Sequence, residues 1–140
     1  GHTMEAVIHS FLSGLPILLL HFALSLLMLG LGTVIYVMVT PYHEVELIKQ
    51  GNVAAAVSFG GVLVGLALPL AANMAGSVNA FDIMVFGAVA IILQLLAYRF
   101  TDIVLKGLPE RIKSGEVSAA VTLVGLKLSI SIINAAAVSG

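Results

Sequence analysis

Glu46-Leu47-Ile48-Lys49-Gln50-Gly51-Asn52-Val53-Ala54-Ala55-Ala56-Val57 returns sixty-four positions later as Glu110-Arg111-Ile112-Lys113-Ser114-Gly115-Glu116-Val117-Ser118-Ala119-Ala120-Val121. Eight of the twelve positions are identical, and at the same offset Gly61 meets Gly125, Ala71-Ala72 meets Ala135-Ala136, and Gly76 meets Gly140. A repeat of this kind decides the fold, because each copy is one supersecondary unit. Each copy reads as a short polar segment, a glycine stop and a long apolar helix. The expected architecture is an all-α membrane protein with four transmembrane helices. They form two parallel-repeat hairpins, residues 4–77 and 78–140 of one membrane domain, each with a short interfacial connector helix. Gly1-His2-Thr3 reads as a cloning scar, with Met4 the expected start.

Composition points to the same solvent. The chain is 60% hydrophobic and only 9% charged, against about 25% charged residues in an ordinary soluble domain. A surface so poor in ions faces lipid. Four stretches of membrane length use up nearly all 140 residues and leave no room for a separate soluble domain. A net charge of −1 argues against nucleic acid as a partner. The chain has no cysteine, which excludes disulfides, thiolate metal sites and cysteine nucleophiles.

The expected spans are Leu12–Val39, Val53–Ala75, Ile83–Leu105 and Val117–Val138, with Gly76–Asp82 as a turn. In the first span Gly14, His21, Ser25, Gly32 and Tyr36 are spaced by seven, four, seven and four, which puts small and polar residues on one face. In the second, Val57, Gly61, Gly65, Pro69 and Asn73 recur every four residues. Gly32, Gly61, Gly65 and Pro69 therefore mark helix-packing positions, since small residues let backbones approach closely. Pro69 also frees backbone carbonyls and is expected to kink its helix. Thr40-Pro41 with Gly51, and Leu108-Pro109 with Gly115, bracket the connector helices His43–Gln50 and Glu110–Ser114. Asn52 is the expected cap of the second span. Lys49, Arg99, Lys106, Arg111 and Lys113 all fall in or near the connectors. The positive-inside rule then puts both connectors in the cytoplasm and both termini outside.

Thr40-Pro41-Tyr42-His43-Glu44, Gly51-Asn52-Val53-Ala54-Ala55-Ala56, Gly65-Leu66-Ala67-Leu68-Pro69, Gln94 and Asn134-Ala135-Ala136 together resemble the YjfL-like family of small bacterial inner-membrane proteins. The resemblance covers almost the whole chain after the first three residues. It implies a tandem two-helix unit, four transmembrane helices, an inner-membrane location and an association with membrane stress. It supplies no catalytic residues.

Lys127 is the sharpest single residue, because a lysine inside a span costs roughly 2.5–3.5 kcal/mol on insertion scales. Its repeat partner is Leu63, so the duplicated architecture does not itself require a charge there. Asp82 and Asp102 lie near opposite ends of the third span, so no carboxylate is expected at the depth of Lys127. Ser131, Asn134 and Gln94 are the expected compensating oxygens, around a positive, polar cavity that favours anions. The alternative is a lysine that snorkels or is satisfied by Gln94 or Asn134. His21 reads as a proton relay or an axial haem ligand against a hydrogen-bonded packing histidine. A second axial histidine would have to come from another subunit. Asn73 and Asn134 read as interhelical hydrogen-bond glue or as pathway residues.

His43, Glu44 and Glu46 could form a metal or proton site at the connector surface. The plainer reading is a solvated interfacial helix. With Asn52, Glu110 and Arg111 they form the surface through which a cytoplasmic protein partner would be recruited. No serine triad, phosphate-binding loop or metal-ligand spacing is present, so no enzyme activity, cofactor or metal is expected. The functional expectations are a small channel or transporter for ions or protons using Lys127, Asn134, Gln94 and His21, or a structural protein that recruits a partner. A haem-binding redox protein is a distant third. Gly-lined faces in excess of internal need point to a homo-oligomer, most simply a dimer.

Overall fold

The computed structural model describes residues 2–139 as six helices. They are α1 (His2–Val39), α2 (Glu44–Lys49), α3 (Val53–Gly76), α4 (Ala80–Val104), α5 (Gly107–Lys113) and α6 (Val117–Ser139). Gly1, in the expected cloning scar, and Gly140, the last matched glycine of the repeat, lie outside the described residues. The helices α1, α3, α4 and α6 are each long and apolar enough to cross a membrane. Their outer faces carry Leu, Ile, Val and Phe in the open, which suits hydrocarbon and no other solvent. Short connections make consecutive spans antiparallel. Connectors α2 and α5 thus share one end of the bundle, and the Ser77–Asn79 turn occupies the other.

The first span begins ten residues earlier than expected, at His2 instead of Leu12. Apolar length locates a membrane span but not a helix end, and nothing between residues 2 and 11 breaks a helix. α4 likewise starts at Ala80 instead of Ile83. Asn79 caps it, its side-chain oxygen accepting from the Asp82 amide at 3.0 Å, so the turn shortens to Ser77–Asn79. The second connector helix starts at Gly107, placing Pro109 within its first turn, where a missing amide costs nothing.

The connectors end alike. Gly51 and Gly115 take φ +86° and +93°, a left-handed conformation that glycine adopts without strain. The Gly51 and Asn52 amides donate to Ile48 and Leu47, and the Gly115 and Glu116 amides donate to Ile112 and Arg111. Both are the Schellman arrangement that satisfies the last carbonyls of a helix. The two ends also meet. Asn52 caps α3 by accepting from the Ala55 amide, while its Nδ2 donates to the carbonyls of Ile112 and Lys113, each at 3.1 Å. Above this joint Ala54, Ala55, Ala119, Ala120, Ile112 and Leu123 form a core with Leu47, Ile48, Val57 and Leu108 against it.

α3 is the axis of the bundle, touching α1, α4 and α6. Gly61, Gly65, Pro69 and Asn73 are buried along it, as their four-residue spacing required. A Cβ on Gly61 would stand 2.5 Å from Val124 Cγ2, so α3 and α6 could not approach this closely with alanine there. Gly32 plays the same part between α1 and α4, where a Cβ would stand 3.3 Å from Ile91 Cγ2. α3 runs on through Pro69 to Gly76. Proline has no amide, so the Gly65 carbonyl loses its helical donor. Ser131 Oγ of α6 donates to that carbonyl at 2.5 Å. A proline-freed carbonyl is thereby satisfied by a neighbouring hydroxyl, the accommodation that lipid demands.

Candidate functional site

Lys127 lies about 15 Å along α6 from its start, yet its ammonium does not remain at that level. Side chains lean toward the N-terminus of their own helix. On α6 that direction is toward the connectors. On α4, which runs the other way, it is away from them. Lys127 on α6 and Asp102 near the end of α4 therefore lean toward each other. Lys127 Nζ stands 3.0 Å from Asp102 Oδ1, with the two side chains 1% and 5% exposed. The expectation that no carboxylate reaches Lys127 is corrected here: residue count along α4 put Asp102 too far away because it ignored side-chain length and lean.

The ammonium and the carboxylate oxygen approach without closing an aligned hydrogen bond. Two aromatic faces complete the lysine's surroundings. Its Nζ lies 5.1 Å from the Tyr98 ring centroid and 5.9 Å from that of Tyr36, within cation–π range. These rings pack edge to face at 6.0 Å and 82°. Tyr98 Oη donates to the Val62 carbonyl at 3.2 Å, next to the space left by Gly65.

The second buried carboxylate is Glu44, the first residue of α2. Read as part of an exposed connector surface, it is in fact 3% exposed and turned into the bundle. Tyr36 Oη donates to its Oε1. His43 and Glu46 stay exposed, so the three do not converge on one site. Burial pushes the Glu44 carboxyl above its ordinary range. Tyr36 and Ser58 beside it and the nearby Lys127 ammonium pull it back down, while Asp102 adds to the rise. Ser58 of α3 faces both Glu44 and the Tyr42 hydroxyl. Even so, Ser58 Oγ, Glu44 Oε2 and Tyr42 Oη have no closed hydrogen bond.

Toward the turn end the polar line continues. Gln94, fully buried on α4, accepts from Asn134 Nδ2 at 3.0 Å, and the same amide donates to the Ala90 carbonyl at 3.2 Å. Gln94, Tyr98 and Asp102 occupy one face of α4. Lys127, Ser131 and Asn134 occupy the facing side of α6. Asn73 donates to the Ile83 carbonyl at 3.0 Å and ties α3 to the start of α4. Ser131 and Asn134 are thus engaged elsewhere and do not compensate Lys127. His21 is half-buried roughly 22 Å along α1 from Tyr36, apart from the cluster. At the connectors, Arg111 pairs with Glu116, and Lys113 pairs with Glu110 at 3.3 Å. These exposed pairs contribute little.

A pocket lies at each end of this line. One of about 520 Å³ at the turn end has Asn73, Asp82 and Asn134 in its wall. Another of about 270 Å³ at the connector end has Tyr42, Arg99, Asp102 and Lys106 in its wall. The buried charges occupy the protein between them.

Helices with hydrocarbon turned outward and charges turned inward define an integral, multi-pass membrane protein. The family model described as Domain of Unknown Function (DUF350) matches residues 10–138, and the chain belongs to that family. It is similar to the UPF0719 inner membrane protein YjfL of Escherichia coli (strain K12), 30% identical over 116 residues that cover 83% of this chain and 88% of the relative. The protein of the same name from Escherichia coli O157:H7 matches to the same extent. No solved structure matches the chain. The chain is a multi-pass inner-membrane protein, as its resemblance implied. Sequence reading missed Asp102, Tyr36, Tyr98, Tyr42 and Ser58 as members of one site. The available signal was that Asp102 shares a face with Gln94 and Tyr98.

Proposed function

We propose that the protein is a small channel or transporter that moves ions or protons along the interface of α3, α4 and α6. The observation that carries this reading is the buried Lys127–Asp102 pair, set between two pockets at opposite ends of the bundle. Charged groups inside membrane spans are expensive and mark pathways by default. The nearby carboxylates of Asp102 and Glu44 offset the lysine, which removes the reason for an anion preference and favours protons or small cations. Gln94 and Asn134 form the polar step on the turn side.

In this reading the connectors face the cytoplasm, following the basic residues, and two chains associate. Gly14, Gly30, Gly60 and Gly125 have open space where a Cβ would be, which leaves small-residue surface for a second copy. Recruitment of a cytoplasmic partner keeps only exposed residues such as His43, Glu46, Glu110 and Arg111, since Glu44 is turned inward and Asn52 is occupied between the connectors. Nothing in the geometry favours haem at His21.

The test is flux into sealed liposomes under an imposed potential, with a trapped pH dye and with ion-sensitive dyes. The unmodified chain should conduct, and Asp102→Asn should lower the rate by at least roughly tenfold. Absence of flux from the unmodified protein would overturn the reading.

A further inference from the structure

α1 is longer than a membrane crossing requires. It runs 38 residues from His2 to Val39, about 57 Å of helix, whereas α3, α4 and α6 have 24, 25 and 23 residues. Counted back from Val39, the 23 residues of a span such as α6 reach Ile17. That length alone crosses the roughly 30 Å of a hydrocarbon core. His2–Pro16 is therefore surplus, roughly 22 Å of helix at the turn end of the bundle. No other element covers it, since every residue from Thr3 to Gly14 is exposed.

The surplus is patterned differently from the span. Met4, Val7, Ile8, Phe11, Leu12 and Leu15 follow the i, i+3, i+4, i+7 spacing of one helix face. Glu5, His9 and Ser13 recur every four residues on the opposite side, with Pro16 beside them. Ile17-Leu18-Leu19-Leu20 then make the helix apolar all round, as a helix surrounded by lipid requires. The change falls at Pro16. A helix apolar on one side only belongs at the boundary between water and hydrocarbon.

Pro16 marks the same boundary independently. Its missing amide leaves the Leu12 carbonyl without a helical donor. At Pro69 the carbonyl so freed is taken by Ser131. At Pro16, among the described residues, no side chain does the same, and the neighbouring Ser13 hydroxyl donates to His9 instead. An open carbonyl is costly in hydrocarbon, so this turn of α1 reaches water. We propose that α1 bends at Pro16 and that Met4–Leu15 lies along the bilayer surface at the turn end, its apolar stripe in the headgroup–acyl boundary. A proline ring pushes against the preceding turn, so a helix bends away from it. Pro16 stands on the polar side, and the bend closes toward the stripe. The stripe runs on into Leu18 and Phe22, each more than half exposed, so it continues the lipid-facing surface of the span. That continuity makes lipid, not a second chain, its occupant. The segment has no lysine or arginine, and Glu5 is its one charged side chain. Buried apolar area holds it, without help from anionic headgroups.

The chain has no cysteine, so a single introduced cysteine reports one position. Nitroxide labels at Glu5→Cys, Val7→Cys, Ile8→Cys, His9→Cys, Phe11→Cys and Ser13→Cys are read in the full chain in phosphatidylcholine vesicles. Relaxation by oxygen, which concentrates in lipid, is compared with relaxation by a water-soluble nickel chelate. Oxygen should dominate at the Val7, Ile8 and Phe11 positions and nickel at the Glu5, His9 and Ser13 positions, and adding phosphatidylglycerol should leave the pattern unchanged. Phe11→Glu should shift the label at Ile8 from oxygen to nickel, whereas Ser13→Glu, on the polar side, should not. Nickel dominating at all six positions would show a helix standing in water and overturn the proposal. Oxygen dominating at all six would show a longer span and overturn it equally. A stripe closed to both reagents would be covered by protein, a second copy where labels on two chains also broaden each other, and would overturn it as well.

Discussion

Removing one half of the Lys127–Asp102 pair should damage the protein far more than removing both. Lys127→Met leaves the Asp102 carboxylate 5% exposed with its cation gone. Breaking a buried pair from one side costs about 3–5 kcal/mol, because an uncompensated charge remains. Asp102→Leu leaves the ammonium, 1% exposed, and should cost about as much. The combined Lys127→Met and Asp102→Leu chain buries no charge at the site, and such replacements are often neutral or stabilising by about 1–4 kcal/mol. The double-mutant cycle should therefore show a coupling of at least about 6 kcal/mol, since two losses of about 3 kcal/mol or more vanish in the neutral double, well beyond the range of up to about 3 kcal/mol usual for neighbouring residues. Thermal unfolding in detergent, followed by circular dichroism, measures all four chains. Singles that lose less than about 0.5 kcal/mol, the range of a surface change, would refute the buried pair. So would losses that simply add.

Three further outcomes follow from other parts of the bundle. Ser131→Ala strands the Gly65 carbonyl and should cost about 1–3 kcal/mol, whereas in a Pro69→Ala background the restored amide takes over and the serine should matter little; equal losses in both backgrounds would show that the proline and the serine are unconnected. Because the folded Glu44 carboxyl lies above its ordinary value of 4.5, its contribution is fully present below that value and is lost as pH rises through the folded value. The melting temperature should thus fall with rising pH over that window, and Glu44→Gln should flatten the fall; an unchanged profile would place Glu44 in water. A reporter fused at Ser77–Asn79 should read periplasmic and one at Gly107 cytoplasmic, and the reverse would invert the orientation.

The fold was legible because membrane spans and their punctuation are local properties. Composition gave the lipid solvent, Gly51 and Gly115 gave the helix stops, and the spacing of Gly61, Gly65, Pro69 and Asn73 gave the packing face of α3. The helix starts were less legible, since Asn79 can equally sit in a turn or cap a helix. The site was half legible. Lys127 stood out because a lone charge in an apolar run is costly. Its partner did not, because Asp102 sits at a helix end, where an exposed carboxylate is ordinary. Only side-chain lean on antiparallel helices joins them. Glu44 was hidden for a related reason. It lies in a polar connector, and nothing in the run His43-Glu44-Val45-Glu46 tells which carboxylate turns inward. Tyr36 decides that by placing its hydroxyl at the start of α2.

The buried pair either belongs to the proposed pathway or is a tolerated cost of folding. The combined Lys127→Met and Asp102→Leu chain separates these, because it should fold at least as well as the parent while lacking both charges. Proton flux into liposomes at matched protein density is the measurement. Rapid flux is expected from the parent, and a rate indistinguishable from empty liposomes from the doubly substituted chain. Parent-like flux from that chain would contradict the pathway.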